Sequence, residues 1–161
     1  MNRERLSKDI TRWEGVRYEK YKCSSDLWTI GVGHMIRDNE QDLLNREKPL
    51  NNEEVLAIFD KDLSNAIEDT KKFIDPATIE PEAFEVCVHL CFWIGLPRMM
   101  GFKKCRQALL DKDYVLASEE LLDSKMGKSD VRGLVNRITE LSARMRDCLL
   151  YTSDAADDRV S

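Results

Sequence analysis

Three side chains near the start of the chain have the types and the spacing needed for acid-assisted bond cleavage. Glu14 is followed, after eight intervening residues, by Cys23, and Cys23 after five more by Thr29. A carboxylic acid can protonate a leaving oxygen, a thiol can polarise water or attack carbon, and a hydroxyl can hold a water molecule. Cleavage between two sugars needs an acid of this kind and a second group on the opposite face of the ring.

Each of these residues also has an ordinary structural explanation. A Glu before Gly15 is common at the end of a helix, and Thr29 is a good strand former. A free thiol has a pKa of about 8.5 and carries little charge at neutral pH, although Lys22 beside Cys23 would increase the thiolate fraction. The spacing of the three residues therefore indicates a function more strongly than any one of them does.

The segment from Glu14 to His34, EGVRYEKYKCSSDLWTIGVGH, resembles the phage lysozymes of the T-even and lambdoid endolysin type, a group similar to glycoside hydrolase family 24. In that pattern a Glu, an Asp and a Thr have the same spacing and are followed by a TIGxGH segment. Cys23 stands here at the position of the Asp, as it does in some members. The resemblance covers about residues 4–147.

This resemblance implies a role for each of the three residues. Glu14 would protonate the glycosidic oxygen, and Thr29 would help to position water. Cys23 would assist at the opposite face as a base or a nucleophile, or would be a bystander. The bond would be the β-1,4 link between N-acetylmuramic acid and N-acetylglucosamine in peptidoglycan. A lytic transglycosylase acting on the same bond and a catalytically inactive peptidoglycan-binding homologue are the alternatives.

Four further residues would support the site. Gly31 and Gly33 would let the backbone come close to a sugar. The resemblance implies a structural role for His34, with Asp62 as its partner. It also places Arg137, in the segment GLVNR, in an ion pair with the catalytic glutamate; a surface arginine is the alternative.

The elements that position these residues can be predicted from hydrophobic spacing. Leu6, Ile10 and Trp13 recur at helical spacing and predict a helix that ends at Glu14. The runs 18–22 and 28–34 predict strands of one small sheet. The remaining predicted helices are one that begins at Asn51 or Asn52 with an apolar stripe, one at 83–96 buried on every side, and amphipathic helices at 102–110, 114–122 and 131–146.

The predicted fold is α+β and predominantly α-helical. The resemblance implies a lysozyme-like, two-lobed fold with a small N-terminal β-sheet lobe and a larger helical C-terminal lobe, separated by a cleft. A single catalytic domain would span 1–147. Its small lobe would cover about 14–55, and its helical lobe about 56–147 together with the N-terminal helix.

Composition narrows the partners and the compartment. The chain has 161 residues, 42% of them apolar, and a net charge of −5, which argues against tight binding to nucleic acid. We expect no signal peptide, transmembrane anchor or membrane insertion, and a monomer that stays in the host bacterial cytoplasm until lysis releases it to the wall. The odd number of cysteines predicts reduced thiols, and two histidines give no support for a metal or other cofactor.

The last residues, 148–161, are predicted to be a non-native tail. Their beginning, CLLYTSDAAD, back-translates into a sequence resembling a transposon-derived sequencing adapter. An ordinary flexible terminus is the alternative. Without this segment, which holds three acidic residues and one arginine, the body of the chain carries a net charge of −3.

Overall fold

The computed structural model describes residues 1–23 and 25–160, with side chains up to residue 148. Among these residues it contains one three-stranded antiparallel sheet, of order β1-β2-β3, in a largely helical chain, which confirms the predicted α+β class. The elements are α1 (Arg3–Glu14), β1 (Arg17–Lys22), β2 (Trp28–Gly31), β3 (His34–Met35), α2 (Gln41–Leu44), α3 (Asn52–Phe73), a 3-10 helix (Pro76–Thr78), α4 (Pro81–Ile94), α5 (Leu96–Met99), α6 (Lys103–Leu110), α7 (Tyr114–Leu122) and α8 (Arg132–Val160).

The chain divides into two compact units. The sheet unit is Arg3–Asn65, and the helical unit is Ala66–Ser161 together with Met1–Asn2. The division falls within α3, whereas the sequence places it near residue 55 and assigns the N-terminal helix to the helical lobe. The domain bounds predicted from sequence stay a prediction.

Helix α1 forms where its apolar spacing predicts it. Leu6 and Ile10 are fully buried, and burying a side chain of this size contributes about 1.5–3 kcal/mol. Gly15 ends the helix with φ of +75°, while its N–H donates to the carbonyl of Thr11 at 2.8 Å. Glycine adopts this left-handed conformation without a steric penalty. The last helical residue, Glu14, is therefore held at a defined position.

The sheet differs from the prediction at its second hairpin. The expected strand at 28–34 is wrong as a single strand, because β2 ends at Gly31 and β3 starts at His34. Ile30 pairs with His34 across a turn in which Gly31 and Gly33 have φ values of +66° and +63°. Alternating residue types suit a strand, but these positive φ angles reverse the chain and make a hairpin.

A reciprocal pair of hydrogen bonds starts α3 at the predicted place. The side-chain oxygen of Asn51 accepts from the backbone N–H of Glu54 at 2.8 Å, and the Glu54 carboxylate accepts from the N–H of Asn51 at 3.1 Å. This capping box satisfies two N–H groups that would otherwise lack helical partners. Of the predicted stripe of Val55, Phe59, Leu63, Ala66 and Ile67, the first four residues are buried and Ile67 is half-buried.

Helix α4 forms the centre of the helical unit. Residues 83–91 are buried, which confirms the predicted all-round burial over this part of the helix. The helix spans 81–94 and not 83–96, because Pro81 occupies its first turn and Gly95, with φ of +83°, ends it. Glu85 within the buried stretch forms an ion pair with Arg144 of α8, which a buried carboxylate needs.

Helix α8 begins at Arg132, close to the predicted start, and its backbone continues to Val160. The predicted amphipathic helix ends at residue 146. The predicted non-native tail, 148–161, lies almost wholly outside the described side chains, and its origin stays a prediction. All five cysteines are free thiols, and those other than Cys23 are buried.

Candidate active site

The Glu14 carboxylate lies against the backbone of Gly33. A Cβ atom built on Gly33 would be 2.7 Å from Glu14 Oε2 and 2.9 Å from its Cδ, closer than real Cβ contacts. Gly33 therefore leaves the space that the carboxyl group occupies. The sequence singled out Gly33 for a close approach to a sugar; in the structure, the group that it accommodates is the predicted acid.

Gly31 has no such neighbour among the described residues. Its φ of +66° is nearly the same as that of Gly33, yet nothing lies within 4 Å of the position of a Cβ on Gly31. Its conformation is explained by the hairpin turn. The predicted approach of a sugar to Gly31 stays a prediction.

Cys23 and Thr29 meet at the start of the β1–β2 hairpin. The backbone N–H of Cys23 donates to the carbonyl of Leu27 at 2.9 Å, which continues the pairing beyond β1. The Thr29 hydroxyl is buried, and its one proton can be donated either to the same carbonyl, 3.2 Å away, or to the Cys23 sulfur. The structure thus brings these two predicted residues together.

The environment of the Cys23 thiol favours its ionised form. Hydrogen bonds from the backbone N–H groups of Leu27 and then Ser25 lower the pKa of Cys23, and the hydroxyls of Thr29 and Ser25 add to this effect. Burial acts in the opposite direction but is weaker. The thiol is therefore a better source of negative charge than an unperturbed cysteine. The sequence suggested Lys22 for this effect, but Lys22 forms an ion pair with Asp26 at 3.4 Å.

Tyr21 belongs to the same constellation and was missed by the sequence reasoning. It pairs with Thr29 in the β1–β2 register, and the guanidinium of Arg17 lies 5.1 Å from the centre of its ring. Burial raises the pKa of the Tyr21 hydroxyl, and the charges of Glu14 and Cys23 raise it further. The signal was available, because residues two apart in a strand share a face and Tyr21 lies two before Cys23.

His34 links three segments of the sheet unit. Its Nδ1 lies 2.7 Å from Asp62 Oδ2 on α3, which is the contact that the sequence predicts. Its Nε2 lies 3.0 Å from Glu40 Oε1, a partner that no sequence pattern indicated. The hydrogen bond to Asp62 is the main cause that raises the pKa of His34, against the opposing effect of burial. These contacts suit a structural histidine.

Arg137 is buried in the helical unit. Its Nε donates to Nε2 of His89 at 3.1 Å, and its guanidinium lies 4.4 Å from the centre of the Trp93 ring. The side chain is 6% exposed, so the alternative of a surface arginine is wrong. The predicted ion pair with the catalytic glutamate stays a prediction.

The candidate site in the sheet unit contains one carboxyl group, one thiol and two hydroxyls, from Glu14, Cys23, Thr29 and Tyr21. These groups can transfer protons, attack carbon and hold water. In the described part of the chain, no three histidine, cysteine or acidic side chains are arranged to hold a metal ion. Over the same residues, no helix has both the length and the apolar character needed to cross a bilayer.

Comparison with known proteins gives two findings. A family model described as phage lysozyme matches residues 11–140. The chain is also similar to a protein of Dictyostelium discoideum named probable T4-type lysozyme 1. The two are 24% identical over 139 residues, which cover 73% of this chain and 82% of that protein.

Proposed function

Since the chain belongs to the phage lysozyme family, we propose that it hydrolyses the β-1,4 bond between N-acetylmuramic acid and N-acetylglucosamine in peptidoglycan. The observation that carries this proposal is the placement of Glu14 against Gly33, in the same unit as the paired Cys23 and Thr29. An acid on one element and a thiol with a hydroxyl on another supply the two functions that glycoside hydrolysis needs.

Glu14 acts as the general acid. It protonates the glycosidic oxygen as the bond to the anomeric carbon breaks, and the leaving sugar departs as an alcohol. Glu14 is the last residue of α1, and Gly15 ends the helix directly after it. Gly33 limits where the carboxyl group can lie.

Cys23 and Thr29 act on the other side of the anomeric carbon. The thiolate, favoured by the N–H groups of Leu27 and Ser25, stabilises the positive charge that develops on the sugar and accepts a proton from water. The Thr29 hydroxyl helps to hold that water molecule.

The biological setting of this activity is the release of phage from a bacterial host. The enzyme is made in the host cytoplasm, acts as a monomer, and reaches the wall during lysis, when a holin opens the membrane. The match to the phage lysozyme family supports this proposed setting.

A lytic transglycosylase is the second candidate, and the feature that favours it is Cys23, which stands where the resemblance implies a carboxylate. Such an enzyme needs one acid, because a hydroxyl of the muramic acid itself attacks the anomeric carbon and closes an anhydro ring. Mass spectrometry of muropeptides released from purified peptidoglycan separates the two reactions. Hydrolysis gives reducing muramic acid ends, whereas transglycosylation gives products lighter by one water. Anhydro products alone would reject hydrolysis, and the absence of released muropeptides would reject both.

Replacing Cys23 tests the role of its thiolate. Cys23→Asp is expected to keep or raise kcat/KM, because an aspartate supplies the same charge, and Cys23→Ala is expected to lower it by about tenfold or more. Wild-type activity is expected to rise with pH as the thiolate forms. Because the pKa of the Cys23 thiol lies below its ordinary value, this rise occurs at lower pH than it would for an unperturbed cysteine. In Cys23→Asp this rise moves to lower pH, since aspartic acid ionises near about 4.

The measurement for this series is the initial rate of release of reducing ends from peptidoglycan between pH 4 and 9. Cys23→Asp serves as the control that retains a negative charge at the same position. Full activity of Cys23→Ala at every pH would show that the thiol is a bystander.

A further inference from the structure

Tyr21 lies among the candidate catalytic groups of the sheet unit but has no role in the reaction described so far. In the antiparallel register of β1 and β2 it is directly opposite Thr29, and side chains opposite each other project from one face with Cβ atoms about 5 Å apart. Cys23 follows two residues later, and side chains two residues apart in extended chain point to the same face. Tyrosine is much longer than threonine or cysteine, so its hydroxyl projects beyond both of these neighbours.

The ring of Tyr21 is held in place, whereas its hydroxyl remains available. The guanidinium of Arg17 lies 5.1 Å from the ring centre, and the side chain is partly buried. Among the described side chains, those of residues 1–23 and 25–148, no hydrogen bond engages the Tyr21 hydroxyl. Tyr18 of the same strand differs in this respect, since its hydroxyl donates to Asn52 Oδ1 at 2.8 Å. A partly buried hydroxyl normally has a partner, and a bound glycan can supply one for Tyr21.

The charged groups around Tyr21 keep its hydroxyl protonated. Burial and the negative charges of Glu14 and Cys23 raise the pKa of the phenol, and only Arg17 acts in the opposite direction. At neutral pH the hydroxyl is therefore a neutral hydrogen-bond donor. A donor of this kind is suited to a sugar oxygen on which negative charge develops as the glycosidic bond breaks.

We propose that the Tyr21 hydroxyl is a further catalytic group, which donates a hydrogen bond to the bound glycan at the bond being cut. This inference rests on the proposed peptidoglycan hydrolysis and adds a contact to the same site. The hydrogen bond strengthens as charge develops on the sugar oxygen, so its loss lowers kcat more than it raises KM.

The test compares Tyr21→Phe with Tyr18→Phe, since both changes remove one hydroxyl from β1 and keep the ring. Tyr21→Phe is expected to lower kcat for release of reducing ends by about tenfold or more, with KM within about twofold. Because no described residue bonds the hydroxyl, the Tm of Tyr21→Phe is expected to stay within about 2 °C of wild type. Tyr18→Phe is expected to retain wild-type kcat.

Three results would overturn the assignment: a kcat of Tyr21→Phe within twofold of wild type, a loss confined to KM, or a fall in Tm large enough to account for lost activity. Wild-type protein that releases no reducing ends would instead reject the proposed hydrolysis itself. A fully active wild type with an equally active Tyr21→Phe rejects only the role of Tyr21.

Discussion

Glu14→Gln is expected to lower the rate of peptidoglycan hydrolysis by about 10²- to 10⁴-fold, which is the contribution typical of a general acid. The amide has nearly the shape of the carboxyl group, so it fits the space beside Gly33, but it has no proton to give to the leaving oxygen. The measurement is the release of reducing ends from purified peptidoglycan, with clearing of turbid cell-wall suspensions as a second assay. Affinity for insoluble peptidoglycan is expected to persist, since the amide still forms hydrogen bonds.

Glu19→Gln is the matched control, because it makes the same chemical change at an exposed residue of β1. Its activity is expected to be that of wild type. If Glu14→Gln and Glu19→Gln were equally active, Glu14 would not be the acid. If wild type itself bound peptidoglycan without cleaving it, the chain would be a binding homologue.

The helices were the most predictable part of the fold, because their signals are local. Leu6 and Ile10 at helical spacing fixed α1, and the asparagine before α3 predicted its cap. The extent of α8 could not be predicted in this way, since its backbone continues into a segment that the sequence predicts to be non-native. The sequence also did not indicate the short helices α2 and α5, which are single turns without a periodic pattern.

The β2–β3 hairpin shows why local pattern was insufficient in the sheet. The residue types in 28–34 alternate as they would in a strand. The sequence alone does not determine whether φ at Gly31 and Gly33 is positive or negative, and in the structure both are positive. Glycine is compatible with both a strand with close backbone approach and a left-handed turn. The pairing of Ile30 with His34 decided between them.

The residues proposed for the candidate site come from the sequence and stay predictions, whereas their contacts could be seen only in the structure. Spacing identified Glu14, Cys23 and Thr29, and strand alternation could have added Tyr21. The contact of Glu14 with Gly33 depends on where the end of α1 meets the hairpin, and the contact of His34 with Glu40 depends on the path of a loop. Contacts between separate elements produce no periodic pattern of residue types, so they could not be predicted from the sequence.

Gly33→Ala is expected to lower kcat by about 10²-fold relative to Gly31→Ala, although both variants lose similar amounts of stability. Each change places an alanine at a φ near +65°, and this conformation costs a residue with a Cβ about 1–2 kcal/mol. Only the new Cβ at position 33 meets another group, the end of the flexible Glu14 side chain. The carboxyl group can move aside at little cost in stability, but a displacement of about 1 Å can reduce catalysis about 10²-fold.

Comparing the two glycines separates placement of the acid from strain in the turn. Thermal unfolding measures the strain, which we expect to be alike in both variants, and kcat for reducing-end release measures the placement. If Gly31→Ala and Gly33→Ala both kept the kcat of wild type, the position of Glu14 would not depend on Gly33. A much lower Tm for Gly33→Ala would show that the Glu14 carboxyl group cannot yield, and that Gly33 stabilises the fold. A selective loss of kcat at equal Tm would instead establish that the missing Cβ at Gly33 positions the general acid.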